Sequence, residues 1–365
     1  MTIHFFASFG NFESLPIGGG QTAARRLKKM LEELDYDVKV YNRHRKVFSN
    51  KIYNILYKLF WCSVDPILFG FYLLFKKRRD SAVLFMSYAG SLLPFDWLVS
   101  FVVRILGFKS VEYLAGGGAL KLYESGSAFY KRLFRSTTNH FDEVMVEGYE
   151  NIALIKRVSK CKTFYLPNFT ENGFAPETLP SKPEDSFDIV YFGRITDSKN
   201  VLLMIDVFNL LCEHNLNLTL ELIGNGEIIY EEQVNKAICE SKYKHLIIRR
   251  NRVSHSELKL ILSKKHVYLF PSNEPREGHS NALNEAMSFG VVPVVSNNNF
   301  LPSIVGDDSL VVPEFSPQMY ADVIQNLIDH RDLLKTRSEE VYKRVKEKFT
   351  QSVVEKQLKE ELERL

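Results

Sequence analysis

Residues 267–296, VYLFPSNEPREGHSNALNEAMSFGVVPVVS, carry the clearest pattern of secondary structure in the chain. The apolar run VYLFPS (267–272) is typical of a buried strand, and VVPVVS (291–296) is typical of another. A helix-length segment around Glu285 separates them, so the pattern predicts a strand, a crossover helix and a parallel strand. Two carboxylates, Glu277 in the loop and Glu285 in the helix, fall between the two strands.

The same alternation of strand-like and helix-like segments runs through the chain on both sides of an irregular, proline-rich stretch at 167–186. A chain of 365 residues is long for a single core, and strands separated by crossover helices predict covered parallel sheets. We therefore predict an α/β protein with two α/β domains in tandem, expected at 1–168 and 169–344.

Composition and charge are those of a soluble globular protein whose two halves differ. Hydrophobic residues make up 45% and charged residues 25% of the chain. Residues 1–170 carry 24 Lys/Arg against 14 Asp/Glu, whereas the remainder carries 23 against 30, which indicates different partners for the two halves. The four cysteines lack metal-ligand spacing and the start lacks a signal-peptide pattern, so buried thiols in a reducing compartment are expected.

An apolar block, LFWCSVDPILFGFYLLF (59–75), lies between Lys58 and the basic run KKRR (76–79). Three interpretations stay open: a crossover helix buried against the sheet, a helix lying in a membrane surface, and a membrane span. Asp65 and Pro66 in the middle of a short block weigh against the span. Aromatic residues beside a basic cluster suit an anionic membrane surface.

Two glycine-rich loops in the first half each follow a strand-like run. PIGGGQTAARRL (16–27) opens a helix, where backbone N–H groups and the helix dipole can receive an anion. LAGGGALKLYESG (114–126) either lines a cleft or permits a close chain crossing. A merely tight turn is the alternative for the first loop, whose spacing does not fit a dinucleotide-binding loop.

Two further loops follow strands in the second half, in YFGRITDSKNV (191–201) and ELIGNGE (221–227). Arg194 and Lys199 are fixed cations at the carboxyl end of a parallel strand, a position that suits a diphosphate. The glycine pair of the second loop would let a base or ribose approach the backbone, although alone it is a weak signal.

The loop and helix start at Glu277–Asn281 are the most specific feature. N–H groups at a helix start can hold phosphate or sugar oxygens. Glu277 on the loop can accept hydrogen bonds from sugar hydroxyls, and Glu285 on the helix can hold the vicinal diol of a ribose. The alternative is that both are ordinary solvated glutamates.

Taken together, these segments resemble the retaining, nucleotide-sugar-dependent glycosyltransferases of the GT-B fold, family 4 (glycosyltransferase group 1 type). The resemblance is strongest over 187–296, where GRITDSK, IGNG and EGHSNALNEAMSFGVVPVVS occur in the family's order. GGGQTAARRL matches the family's N-terminal glycine loop, and LPN (166–168) resembles its interdomain link. Two segments depart: EGHS replaces the common EGFG, and Ala115 with three glycines replaces a histidine-containing pair.

The resemblance implies two Rossmann-like α/β/α domains facing a cleft, with a final helix at about 345–365 packing back on the first domain. It also implies that a hexose-type sugar moves from a nucleotide diphosphate to a glycan acceptor with retention of anomeric configuration, in polysaccharide or surface-glycan biosynthesis. It implies a catalytic role for Arg194, Lys199 and Glu277. The donor-binding residues that it implies are Gly193, Gly224, Gly226, Gly278, His279, Ser280, Asn281 and Glu285. The residues that it implies for the donor–acceptor cleft are Gly18, Gly19, Gly20 and Gly117.

The resemblance also implies no cofactor and no bound metal, with a UDP-sugar as the favoured donor and a GDP-sugar as the alternative. The expected partners are the nucleotide sugar, a lipid-linked glycan and an anionic membrane surface meeting the basic first half, but no nucleic acid. The expected location is the cytoplasm, at the inner face of the cell membrane. Two alternatives stay open: a GT-B-fold nucleotide-sugar epimerase and a non-catalytic partner subunit of a glycan-assembly complex.

Overall fold

The protein folds into two compact units, each built around one parallel sheet. The computed structural model describes residues 1–14, 19–44, 50–76, 79–215 and 217–365. The first unit comprises Met1–Pro167 with Glu355–Leu365, and the second comprises Asn168–Val354. Each contains a six-stranded sheet whose neighbouring strands all run parallel. The predicted pair of parallel-sheet α/β domains is therefore confirmed.

The strands of the first unit are β1 (Thr2–Ala7), β2 (Asp37–Asn42), β3 (Ser81–Ser87), β4 (Lys109–Leu114), β5 (Glu143–Val146) and β6 (Lys162–Tyr165). Its helices are α1 (Gly19–Glu33), α2 (Lys51–Leu74), α3 (Leu93–Leu106), α4 (Ala119–Ser125), α5 (Ala128–Thr138) and α6 (Tyr149–Val158). The sheet order is β2-β1-β3-β4-β5-β6. The chain therefore changes its direction of travel across the sheet between β1 and β3.

The core of the first unit lies between this sheet and the crossover helices. Phe6 on β1 and Phe85 on β3 are fully buried, and they pack in one cluster with Phe69 and Leu73 of α2. Strands covered on both faces are expected to be continuously apolar, as SAVLFM is and as IHFFA is apart from His4.

Only one face of α2 joins that core. Gly70 lies where an added Cβ would meet Val102 of α3 at 2.9 Å, so the two helices pack closely. Ile52–Leu74 is long and apolar enough to cross a membrane, but only 28% of its most apolar 18-residue stretch is buried inside the protein. The interpretation as a helix buried against the sheet therefore holds for one face and is wrong for the rest.

The strands of the second unit are β7 (Phe187–Phe192), β8 (Leu218–Ile223), β9 (Ile247–Arg250), β10 (Val267–Phe270), β11 (Val292–Ser296) and β12 (Val311–Val312). Its helices are α7 (Val201–Cys212), α8 (Ile228–Glu240), α9 (His255–Leu262), α10 (Asn281–Met287), α11 (Leu301–Val305), α12 (Pro317–Asp329) and α13 (Arg331–Lys348). The last helix, α14 (Gln351–Arg364), runs from this unit into the first. The sheet order is β12-β11-β10-β7-β8-β9, so β7 and β10 flank the point where the strand order reverses.

Glu112 on β4 is an unusual charge to find inside the first unit. Its side chain is almost fully buried, and one carboxylate oxygen accepts a hydrogen bond from the Ser87 hydroxyl at 2.6 Å. The other oxygen has no hydrogen-bond partner among the described residues. Burial raises the pKa of Glu112 from 4.5 to about 7.

This burial predicts a pH-dependent stability of the first unit. The folded protein holds the Glu112 proton more tightly than the unfolded chain does. The contribution of this group to the free energy of unfolding is therefore fully present below pH 4.5 and is lost as the pH rises to about 7. Glu112→Gln should remove that slope and should be more stable than the wild type at pH 8 by roughly 2–3 kcal/mol. Urea unfolding between pH 5 and 8 measures it, and an unchanged slope in the variant would rule out Glu112 as the source.

Candidate active site

The sequence-predicted residues of the second unit gather at the carboxyl ends of β7 and β10. Arg194 and Lys199 follow β7, Glu277 follows β10, and Glu285 lies on α10, which comes next in the chain. These two strands are neighbours and flank the reversal of strand order. In open α/β sheets, ligands bind in the crevice that such a reversal leaves.

A buried ion pair lies at the centre of this site. The Lys199 ammonium donates to Glu277 Oε2 at a very short distance, and both side chains are about nine-tenths buried. The Ser272 hydroxyl donates to the same oxygen and lies 3.4 Å from Lys199 Nζ. Two residues that we predicted for different parts of a donor are therefore paired with each other.

Polar side chains hold the loop that carries Glu277 by hydrogen bonds to its backbone carbonyls. Asn298 donates through Nδ2 to the carbonyls of Ser272 and Glu274, at 3.1 and 3.0 Å, and the Ser296 hydroxyl donates to Ser272 O at 2.6 Å. Asn200 adopts a left-handed conformation (φ 54°) and donates to Pro271 O at 2.8 Å. These bonds place the glutamate before any ligand arrives.

Arg194 is the exposed cation of the site. Its side chain is 64% exposed, and its nearest acidic partner is Glu274 at 3.9 Å. Glu274 Oε2 also accepts a 2.9 Å hydrogen bond from the Ser198 hydroxyl. The Arg194 guanidinium can therefore turn to an anionic ligand without breaking a short ion pair.

The glycines that follow β7 and β8 allow the two chain segments to pass close to each other. Gly224 has φ 137°, and a Cβ there would lie 1.8 Å from the Gly193 carbonyl oxygen. A Cβ on Gly226 would lie 1.6 Å from the Ile195 carbonyl oxygen. Gly193 itself has φ 152°. The structure gives these three positions a packing reason to be glycine, besides the donor contact that we predicted.

Glu285 is half-buried on α10, the helix that follows the Glu277 loop in the chain. Burial raises the pKa of the Tyr268 phenol on β10 well above its ordinary value, and the charges of Tyr191, Glu277 and Glu285 raise it further. The contact of both glutamates with one extended ligand stays a prediction.

The side chains of His279 and Ser280 are engaged within the second unit. His279 is 2% exposed, lies edge-on to Phe349 at 4.8 Å, and its Nε2 is 3.1 Å from Asn284 Oδ1. The Ser280 hydroxyl accepts from Leu283 N at 3.3 Å and caps α10. The His279 side chain therefore helps to position the loop, and its predicted donor contact stays a prediction.

The predicted cleft glycines of the first unit differ in their surroundings. Gly18 lies outside the described residues. Gly19 has no atom within 4 Å of a built Cβ, whereas a Cβ on Gly20 would lie 2.4 Å from the Tyr88 hydroxyl. Gly117 is buried in the loop after β4, where the neighbouring Gly116 N donates to Glu147 at 3.1 Å.

Two residues of the site were missed from the sequence, Ser272 and Asn298. Each follows a strand of the second sheet, β10 and β11, and both strands end at the edge where Glu277 lies. Because the carboxyl ends of neighbouring parallel strands meet, polar residues directly after VYLFP and VVPVVS were a usable signal. The run of asparagines at 297–299 was the clearer of the two.

The second unit is similar to a known protein family. Residues 179–344 match the family model described as glycosyl transferases group 1. The matched segment contains every site residue of the second unit named above, from Gly193 to Asn298.

Relatives of known function align with the chain over longer stretches than the family model does. The chain is 24% identical over 255 residues, 68% of its length, to a phosphatidylinositol N-acetylglucosaminyltransferase subunit of Arabidopsis thaliana. It is 28% identical over 180 residues, 48% of its length, to the capsular polysaccharide biosynthesis glycosyltransferase CapM of Staphylococcus aureus. These matches cover 54% and 45% of the relatives, so the chain spans about half the length of the curated relatives it matches.

Solved structures with the GT-B glycosyltransferase fold resemble the whole chain. A sucrose-phosphate synthase from Thermosynechococcus elongatus superposes with a TM-score of 0.75 at 16% identity, over 100% of this chain and 98% of that one. Anabaena HepE, solved in complex with UDP, gives 0.73 at 14% identity, over 100% of both chains. At these identities the likeness shows the fold alone.

Proposed function

We propose that the protein is a glycosyltransferase that moves a hexose-type sugar from a nucleoside diphosphate to a glycan acceptor during surface-glycan biosynthesis. The observation that carries the proposal is the buried Lys199–Glu277 pair at the strand-order reversal of a unit that matches the group 1 glycosyl transferases. The two capsular polysaccharide glycosyltransferases of Staphylococcus aureus among the relatives support the biosynthetic role.

In this proposal the donor spans the two glutamates. Glu285 accepts hydrogen bonds from the ribose hydroxyls, and Glu277 lies at the sugar. Lys199 has three N–H donors, of which Glu277 and Ser272 take two, so one remains for an oxygen of the diphosphate. Arg194 supplies a second, adjustable cation. The charge that develops on the leaving diphosphate is then met by fixed groups at low reorganisation cost.

The proposed step retains the anomeric configuration. The bond between the anomeric carbon and the β-phosphate oxygen breaks, and a bond to the acceptor oxygen forms on the same face of the sugar. The proton of the acceptor hydroxyl passes to the departing phosphate oxygen. Lys199 and Arg194 stabilise the nucleoside diphosphate that leaves, which lowers the barrier because they bind the transition state more strongly than the intact donor.

We propose a lipid-linked glycan as the acceptor and the cytoplasm, at the inner face of the membrane, as the location. All four cysteines are free thiols, which suits a reducing compartment. Cys62 and Cys212 are buried as expected, whereas Cys161 is half-buried and Cys239 is exposed, so the expectation of four buried thiols is wrong.

The donor is testable by thermal unfolding of the purified chain with UDP-, GDP- and ADP-sugars. A ligand that binds only the folded state at about 100 times its Kd adds about 2.7 kcal/mol of stability. We expect UDP-sugars to raise Tm, and GDP- or ADP-sugars to leave it within error. An equal rise with all three would contradict a selective nucleotide site.

Glu285→Ala is expected to weaken UDP binding about 10- to 100-fold, because hydrogen bonds to a charged group contribute about 1.5–3 kcal/mol each. Isothermal titration with UDP measures it. Glu232→Ala, an exposed glutamate on α8, is the matched control and should bind UDP like the wild type. Equal affinity in all three proteins would remove Glu285 from the nucleotide site.

A further inference from the structure

The exposed apolar side chains of the protein are concentrated on two neighbouring helices. Of the 23 large apolar side chains that are exposed in the described part of the chain, fourteen lie on α2, on its C-cap Phe75 and on α3. They are Ile52, Tyr53, Ile55, Leu56, Leu59, Phe60, Ile67, Leu68, Phe71, Leu74, Phe75, Leu98, Phe101 and Ile105. Soluble monomers rarely expose such a contiguous apolar surface without a partner.

The pattern along α2 is that of one outward stripe. Tyr53, Leu56, Phe60, Ile67, Phe71 and Leu74 recur at spacings of three, four or seven residues, which places them on one side of the helix. The opposite side holds Phe69 and Leu73 in the core of the first unit. Since crossing a bilayer would pull these two residues out of the core, α2 is suited to lie along a surface rather than to span one.

The acidic side chains of the two helices are buried, whereas basic side chains lie on the exposed surface. Asp65 and Asp96 are the only acidic residues in α2 and α3, and both are buried. Asp65 lies 2.6 Å from the His44 ring, and Asp96 lies 3.1 Å from the Arg43 guanidinium. By contrast, four basic residues on the helices or just after α2 are exposed, namely Lys58, Lys76, Arg79 and Arg104, as is Asp80 next to Arg79.

We propose that this outer face of α2 and α3, which we call the α2–α3 face, rests on an anionic lipid surface. Aromatic and aliphatic side chains would enter the headgroup region, and the flanking Lys and Arg side chains would meet lipid phosphates. A second copy of the chain fits the face less well. A symmetric contact would bring these basic residues against themselves, with no exposed carboxylate in either helix to pair with them. The inference rests on this face alone and not on the proposed transfer.

Vesicle sedimentation tests the proposal on the full chain. The probe is vesicles of phosphatidylglycerol and phosphatidylcholine, compared with vesicles of phosphatidylcholine alone. We expect binding to the anionic vesicles to be at least about tenfold tighter and to weaken with added salt. Phe60→Ser with Phe71→Ser should weaken it by about tenfold or more. The matched control is Ile228→Ser with Ile229→Ser on α8, two apolar residues that are even more exposed than the two phenylalanines, and this variant should bind like the wild type.

The charge requirement is tested separately with Lys76→Glu and Arg104→Glu, which should lose the preference for anionic vesicles while the protein keeps its thermal unfolding profile. Equal binding of wild type and the double Phe variant to anionic vesicles would overturn the proposal. So would a wild-type dimer in sedimentation equilibrium that the double Phe variant dissociates, since the face would then belong to a second copy. UDP binding of the Phe variant, measured in parallel, separates a failure of this inference from a failure of the proposed function.

Discussion

Lys199→Met is expected to lower kcat by about 10²–10³-fold, the loss found when one preorganised group that stabilises developing charge is removed. Methionine keeps most of the volume of the buried stem and removes the ammonium that faces Glu277 and the proposed diphosphate. Because the lost contact is stronger in the transition state than with the intact donor, KM should change little. Steady-state release of UDP with saturating acceptor measures both constants.

The same substitution leaves Glu277 as a buried charge without its cation, so a loss of stability of about 3–5 kcal/mol is also expected. The double variant Lys199→Met with Glu277→Gln distinguishes the two effects. It should recover most of the stability, since neither charge remains, and it should stay as inactive as the single variant. If activity returned together with stability, the pair would be structural and Lys199 would have no part in the transfer.

Gly226→Ala is expected to destabilise the second unit by about 3 kcal/mol or more, beyond the usual cost of an added methyl group. The new Cβ would lie 1.6 Å from the Ile195 carbonyl oxygen, and that contact is backbone, so no side chain can turn away. To remove this clash, the segments after β7 and β8 must move apart. That movement breaks the hydrogen bond from Ile195 N to Asn225 O at 3.0 Å. Tm should fall by roughly 6–12 °C for a unit of this size.

Gly19→Ala is the matched control for Gly226→Ala. Gly19 has no atom within 4 Å of its built Cβ, and it opens α1, so alanine should change stability by less than about 1 kcal/mol and in the favourable direction. A Gly226→Ala protein that unfolds at the wild-type temperature would show that the strand ends separate easily. The glycine would then be better explained by direct contact with a ligand.

The sequence predicted the two sheets well where its residues are strongly apolar. VYLFPS and VVPVVS contain β10 and β11, and the apolar block 59–75 lies within α2 and its C-cap Phe75. By contrast, β6 and α8 were not predicted. KTFY, which forms β6, is a short edge strand with only Phe164 buried, and α8 buries only Tyr230 and Val234. Elements that contribute so little to the core leave a weak periodic pattern.

The site was predicted as a set of residues but not as a set of contacts. Motif order brought Arg194, Lys199, Glu277 and Glu285 together, and the structure places all four around the ends of β7 and β10. The pairing of Lys199 with Glu277 depends on two loops that are 78 positions apart, which no local pattern reports. The burial of His279 against Phe349 depends on the chain between α13 and α14, and only tertiary packing decides it.

Sugar transfer with defined donors and matched variants tests the proposed function most directly. Purified protein would be incubated with radiolabelled UDP-glucose, UDP-galactose or UDP-N-acetylglucosamine and with glycolipid extracted from the cells that produce it. The proposed function predicts that one donor labels the glycolipid and releases an equal amount of UDP, and that Lys199→Met retains about 1% of that rate or less. Label that stays on the nucleotide as a converted sugar, or a Lys199→Met protein as active as the wild type, would contradict it.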